Sequence, residues 1–538
     1  MGMRGAHEIK RFVTEKGFGK FDALALALLV AFLVQGGTFY LYVHSARIIV
    51  CTLLAVLVII GLWAWRRVLP QTVDAVCRKV FPVVLIICGV AFSLFFPPGS
   101  VPDGIYHFRT TYAYSNILAF QDADLMRASD AELIHDEKVV NKLITAEHWR
   151  VTNDELEVFS SDNSPVHEYW LTHSKLYDDD PVGVVTNLPL PQLKIPAALG
   201  IMFAKLIGLG AVPMFFLGRL FNMLYAAILI ILAVRLTPIG KNMFMAASLM
   251  PMTLHILGSY SYDGPIIGMA FLLTALLLRA MRGGEEKVSK GLCIGTVAVA
   301  SILAPCKVVY MTINLLVLFV PARRFNSRAS CVMFKLCVLG LPILFMIASR
   351  FAALLPYLSG GSTGGKSPEY EGAECYTLGG LLSDPRATYL LFANTLLVNT
   401  SNYLPELVGG VPGWLEGRVA LPMWASYFLV FLLFASSVRA EDDDECLPVS
   451  QRIVCVLLFV ITLLATMLAL AIDWTLNTDT VIQGVQGRYL IPVIILLLLA
   501  LRSKCIQVKA RLAMPLVMTL SGISFMYLAY IAFKALTG

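Results

Sequence analysis

Long apolar runs separated by short polar links recur along nearly the whole chain. A helix needs roughly 20 apolar residues to cross the hydrocarbon core, and fewer where it packs inside a bundle. Runs that fit lie at 22–43, 46–65, 80–97, 212–234, 242–258, 264–281, 291–304, 308–321, 332–349, 421–438, 452–472, 489–501 and 513–534. They predict an all-α polytopic membrane protein with about 13 transmembrane helices, within a range of roughly 11–14. The pair 291–304 and 308–321 is short, hinges at Pro305 and reads as a hairpin of half-spans. The stretches 193–207 and 387–404 are apolar but broken by polar residues, which predicts segments that lie along the interface or re-enter.

The polar links carry the orientation. Lys and Arg mark cytoplasmic loops. The first twenty residues hold five of them; Arg66, Arg67, Arg78 and Lys79 follow the second run. Arg279, Arg282, Lys287 and Lys290 follow the sixth, Arg323, Arg324 and Arg328 the eighth, and Arg502, Lys504, Lys509 and Arg511 the twelfth. With thirteen crossings all of these share one side, which places the N-terminus in the cytoplasm. The acidic run Glu441 to Glu445 falls on that side too and reads as a solvated loop. Two long segments then face outward, 98–194 and 350–420. Within 101–188 there are 16 Asp plus Glu against 6 Lys plus Arg. No other link is long enough for a soluble domain, so 1–538 reads as a single transmembrane domain.

Composition agrees. Of 538 residues, 58% are hydrophobic and only 14% charged, against about 25% charged in soluble domains. Soluble multidomain enzymes, disordered chains and disulfide scaffolds are excluded. Of the 11 cysteines, Cys51, Cys88, Cys293, Cys337 and Cys455 sit inside apolar runs, and Cys375 lies in a polar outer loop. No CxxC pair, Cys/His cluster or nucleotide-binding glycine loop occurs, and no nucleic-acid partner is expected.

Polar residues at the mouths of spans are expensive and often functional. Five places stand out. In FPPGSVPDGIYHFRTTYAYSN, residues 96–116, Asp103, Tyr106, His107 and Arg109 follow the third run. A helix starting near Asp103 would put 103 and 107 on one face, a carboxylate–imidazole pair suited to general-base work; the plain alternative is an Asp N-cap with a packed His. GRLFN, 218–222, puts Arg219 near the outer end of a span. GSYSYDG, 258–264, is a polar turn with Tyr262 and Asp263. APCKVVY, 304–310, puts Lys307 at a hairpin tip near Tyr310. QGVQGRY, 483–489, puts Gln486, Arg488 and Tyr489 at the twelfth run's outer mouth. Arg219, Lys307 and Arg488 face outward with Asp103, against the topology rule, and so predict an anionic ligand: a phosphate or pyrophosphate at headgroup level. The acidic runs at 122–124 and 178–180 are candidate divalent-ion ligands, with solvated loop the favoured reading. The sequence assigns no other cofactor.

PDGIYHF, GRLFN, SYSYDG, KVVY and QGRY occur in the order seen in the bacterial membrane proteins grouped as domain of unknown function 2142, which the chain resembles from about residue 80 to 500. Gly104 stands where that family usually has Glu, so the acid's role falls to Asp103. The family is similar in architecture to GT-C glycosyltransferases, multi-span enzymes that take sugar from polyprenyl-phosphate donors outside the cytoplasm. The resemblance implies a GT-C-like fold with a large first outer loop in the bacterial cytoplasmic membrane. It implies transfer of a polyprenyl-phosphate-linked sugar to an envelope glycan or lipid-linked acceptor. Asp103 would be the catalytic base and His107 would tune it. Arg488, Lys307 and Arg219 would hold the donor phosphate. Tyr106, Arg109, Tyr262, Asp263, Tyr310, Gln486 and Tyr489 would line the substrate site, with Trp170 and Trp414 available to stack on sugars. The rivals are a transporter or flippase of a lipid-linked sugar and a catalytically inactive relative.

Overall fold

The computed structural model describes residues 19–43, 46–96, 101, 103–127, 130, 181–183, 188, 190–284, 287–358, 374–412, 420–443 and 445–537. The described chain is mostly helical. The main helices are α1 Lys20–Val43, α2 Ala46–Val68, α3 Phe81–Phe95, α4 Gly104–Leu118, α5 Ile195–Leu206 and α6 Ala211–Leu236. They continue as α7 Lys241–Ser248, α8 Pro251–Leu257, α9 Asp263–Arg282, α10 Lys290–Cys306, α11 Arg328–Leu358 and α12 Pro385–Val408. The last are α13 Met423–Ala435, α14 Val449–Asp473, α15 Ile494–Leu501 and α16 Ala513–Thr537. Seven described segments are long and apolar enough to cross a membrane, and five shorter apolar helices accompany them. This is a multi-pass membrane protein.

Burial separates the helices into two classes. α9 is apolar all round, and 94% of its most apolar window lies inside the protein, as expected of a central helix. It packs against α6, α10 and the segment that opens α15. The windows of α11 and α14 are only 22% and 28% buried; their outward Leu336, Leu344, Ile453 and Leu457 suit a lipid solvent.

Several expected elements change shape. The run 242–258 is not one helix: Pro251, which has no N–H to continue a helix, opens α8 after a break at Leu249 and Met250. The re-entrant or interfacial stretches form α5 and α12. The segment Val308–Phe319 winds as a 3₁₀-helix for twelve residues, far beyond the usual three or four. Ile313, Asn314, Leu316 and Val317 are buried while Leu315 and Leu318 are exposed, a beat of three. α15 likewise begins as a 3₁₀ turn, Gly487–Val493. Among the described residues two small sheets break the all-helical pattern: Leu125–Arg127 pairs antiparallel with Pro181–Gly183, and Arg439–Ala440 pairs parallel with Gln507–Val508.

One reading of the loops needs correction. The acidic run is not simply solvated. Asp443 is buried, accepts the N–H groups of Gly240 and Lys241 at 3.0 Å each, and pairs with Arg502 at 3.0 Å. Asp442 accepts the Val73 N–H at 2.7 Å. Both carboxylates satisfy helix-start amides that would otherwise lack partners. Cys375, in the second outer segment, is buried and forms a β-bridge with Leu476.

Candidate functional site

Asp103 sits where α4 starts. Its backbone is left-handed, φ 57°, and its side chain makes no capping bond. Asp tolerates this region better than most residues, and the carboxylate is not spent on capping the helix. Because Asp103 lies outside helical φ/ψ, the one-face rule fails. The His107 ring meets Lys194, not Asp103; Asp103 reaches His107 only through its carbonyl, which accepts the His107 N–H at 2.8 Å. The expected carboxylate–imidazole pair is therefore corrected.

Lys194 precedes α5 and is fully buried. Its Nζ lies 2.9 Å from His107 Nδ1 and donates to the His107 carbonyl at 3.3 Å. It also stands 5.4 Å from the Tyr262 ring centre, and the His107 and Tyr262 rings meet edge to face at 4.7 Å. Among the described residues no carboxylate pairs with it directly. Burial pushes the Lys194 amine well below the usual lysine range, with Asp103 and Asp263 pulling upward. Burial also pushes His107 well below its ordinary value, helped by Lys194. Both shifts favour the neutral imidazole, and an amine that gives one N–H to Nδ1 and one to the carbonyl leaves the ring proton on His107 Nε2. It has no partner among the described residues, and it is absent from the polar atoms sealed without one.

Tyr262 leads into Asp263, the first residue of α9. Asp263 pairs with Lys307 at 3.1 Å. Lys307 sits at the break between α10 and the 3₁₀ segment, 4.3 Å from the Tyr489 ring centre and 5.8 Å from that of Tyr310. The Tyr310 hydroxyl donates to the Tyr489 carbonyl at 2.8 Å, tying the 3₁₀ segment to the start of α15. Arg488 stands over Tyr489 at 5.1 Å. It is only 7% exposed, and among the described residues its Nε is sealed without a partner and its one hydrogen bond, to the Tyr489 hydroxyl, is a long 3.5 Å. No carboxylate forms a salt bridge with it among the described residues.

Glu406, near the end of α12, accepts the Gly487 N–H at 2.7 Å. Burial pushes its carboxyl up while Arg488 opposes. A Cβ on Gly487 would lie 1.9 Å from the Tyr403 carbonyl oxygen, so only glycine lets the two backbones approach. Asp103 shares this enclosure: burial raises its carboxyl above the usual range, Arg488 lowers it, Asp263 raises it, and Lys194 and Lys307 lower it.

The structure thus brings Asp103, His107, Tyr262, Asp263, Lys307, Tyr310, Arg488 and Tyr489 together. Gln486 caps the turn whose carbonyl accepts the Tyr489 N–H at 3.1 Å. Tyr106 is 38% exposed, 5.7 Å from the His107 ring, and Arg109 is half-buried one turn further on. Arg219 is a correction to the phosphate clamp. It is 1% exposed, donates to the Phe96 and Ser93 carbonyls at 2.6 and 3.3 Å, and stacks over Phe215 at 4.5 Å. It caps the C-terminal turn of α3. Asn222 donates to the Ser259 and Ser261 carbonyls at 2.9 and 3.1 Å, so GRLFN is the scaffold that sets Tyr262 and Asp263. Trp170, Trp414 and Asp178 to Asp180 lie outside the described residues. Asp122 and Asp124 are exposed in a turn, and no group of three metal-ligating side chains occurs among the described residues.

Sequence reasoning missed Lys194 and Glu406. Lys194 lies in the apolar stretch 193–207 and Glu406 two residues past 387–404; a charge in or beside such a stretch is the available signal.

A family model described as predicted membrane protein (DUF2142) matches residues 85–497, and the chain belongs to that family. Nothing among curated proteins or solved structures matches it.

Proposed function

We propose that this family member is a GT-C-type glycosyltransferase of the bacterial cytoplasmic membrane. In this reading the chain crosses about 13 times, its N-terminus is cytoplasmic, and the 98–194 and 350–420 loops face outward. It moves a sugar from a polyprenyl-phosphate donor to a glycan or lipid-linked acceptor. One observation carries the reading: among the described residues Arg488 is a buried guanidinium with one long hydrogen bond, no salt bridge and a sealed, unpartnered Nε, in one enclosure with the carboxylate of Asp103. Leaving such a group unpaired is costly, and an arriving phosphate removes the cost.

The chemistry follows from the neighbours. Asp103 takes the proton of the acceptor hydroxyl as that oxygen bonds the anomeric carbon and the carbon–oxygen bond to phosphate breaks. The bonding pair leaves with the lipid phosphate, whose added charge Arg488 receives. Lys307 contributes less, because Asp263 already offsets it. Inversion at the anomeric carbon is expected, with Tyr106 open to stack on the sugar.

The experiment is incubation of the purified protein with labelled polyprenyl-phosphate sugars and an acceptor panel, comparing wild type with Asp103→Asn. Donor turnover that collapses in the variant supports the reading. Turnover indifferent to Asp103→Asn removes Asp103 from the mechanism, and lipid flipping without turnover replaces the transferase with a flippase.

A further inference from the structure

α9 starts at Asp263 in the candidate site and ends at Arg282. Its 20 residues put the two ends about 30 Å apart, one hydrocarbon thickness. At the Arg282 end opens a cavity of about 770 Å³. Four separated segments line it with Arg282, Arg323, Arg324, Arg439 and Lys504, against Glu445 as the acid.

The cations differ in how they are used. Arg324 is buried and donates to the carbonyls of Gly284 and, at 3.3 Å, Arg279. It thereby covers the negative end of α9, which would repel an anion. Arg439 is a strap, donating to the Ser503 and Lys504 carbonyls at 3.1 and 2.7 Å. Among the described residues, the side chains of Arg282, Arg323 and Lys504 have no protein partner, and the Nε of Arg324 is sealed without one. Topology asks for basic residues at this end. It does not ask that they converge on one cavity unpaired, where like charges repel.

We propose that this cavity binds a phosphate monoester or diester. Basic pockets between spans suit anionic headgroups, and the volume admits a glycerophosphate. In the orientation proposed above it opens to the cytoplasmic leaflet; the binding itself does not depend on the transferase reading.

The test is binding to the purified full chain, read by native mass spectrometry and thermal shift without turnover. One arm uses nanodiscs with phosphatidylglycerol or with phosphatidylcholine only. The other uses glycerol phosphate and inorganic phosphate in neutral detergent. Phosphatidylglycerol retained in preference to phosphatidylcholine identifies a lipid source; saturable binding in the second arm identifies a soluble one. In either case Arg282→Gln with Arg323→Gln should weaken binding roughly 10- to 30-fold, while Arg511→Gln, an exposed residue outside the cavity, should not. Neither substituted side chain bonds to protein, so ligand-free melting should be unchanged; if it is not, Arg323→Glu alone serves as the variant. Binding equal for both lipids and absent for both phosphates, or indifferent to these substitutions, overturns the proposal.

Discussion

Replacing Lys194 with Met separates stability from activity. The change keeps the stem of the side chain and removes the amine. Two hydrogen bonds go, at 2.9 Å to His107 Nδ1 and 3.3 Å to the His107 carbonyl, along with the amine's approach to the Tyr262 ring at 5.4 Å. The carbonyl loses little, since Thr111 Oγ1 still donates to it at 2.6 Å. Nδ1 loses its partner, worth about 1–3 kcal/mol as an unsatisfied buried acceptor. Against that, a fully buried amine no longer has to be desolvated, which recovers a similar amount. The net change near pH 7 should be within about 2 kcal/mol of zero. Activity should still fall roughly 10- to 100-fold, because nothing then fixes which nitrogen of His107 carries the proton. The pH dependence is a second readout. Lys194 is held below 10.5 in the folded state, so the unfolded chain binds more protons between the two values. Wild type therefore gains stability as pH rises through that window, and Lys194→Met should lose that slope. Melting curves from pH 6 to about 10, alongside labelled-donor turnover, measure both. Full activity in the variant, or melting and turnover collapsing together, would refute this account of Lys194.

Other outcomes follow from the same geometry. Arg488→Gln should lower turnover by roughly 100- to 1,000-fold if the guanidinium meets charge that grows as the bond breaks; an effect on KM alone in steady-state kinetics would mean ground-state binding only. The Asp103 carboxyl is held above its ordinary value, chiefly by burial, and Arg488 is the strongest opposing influence. A base must be ionised, so the pH–rate profile should fall toward acid at a point above the ordinary carboxylate range, and Arg488→Gln should move that limb to higher pH. Gly487→Ala would push a Cβ to 1.9 Å from the Tyr403 carbonyl; we expect a loss of about 1–3 kcal/mol, read by thermal melting, with turnover falling alongside.

Apolar runs were legible in the sequence because lipid leaves helices few alternatives, and each run carries helix in the structure. The breaks were less legible. Pro251 divides a run that composition alone joins, and nothing in VVYMTINLLVLF announces a 3₁₀ winding. At the site, Lys307, Arg488 and Asp263 were visible as charges at span mouths. Pairings were not: spacing matched Asp103 to His107, whereas a left-handed backbone and a lysine 87 residues further on decide what the imidazole meets. Arg219 looked like a ligand-seeking cation because sequence does not show the α3 carbonyls it caps.

The 3₁₀ segment bears on how spans are counted. Twelve residues wound as α-helix advance about 18 Å. Wound at the 3₁₀ rise of about 2.0 Å they advance about 24 Å. Reach in this protein is therefore partly a property of winding rather than of residue number. A segment too short to traverse a bilayer on paper gains roughly a third in length by tightening its coil, and a yardstick calibrated on α-helices under-measures it.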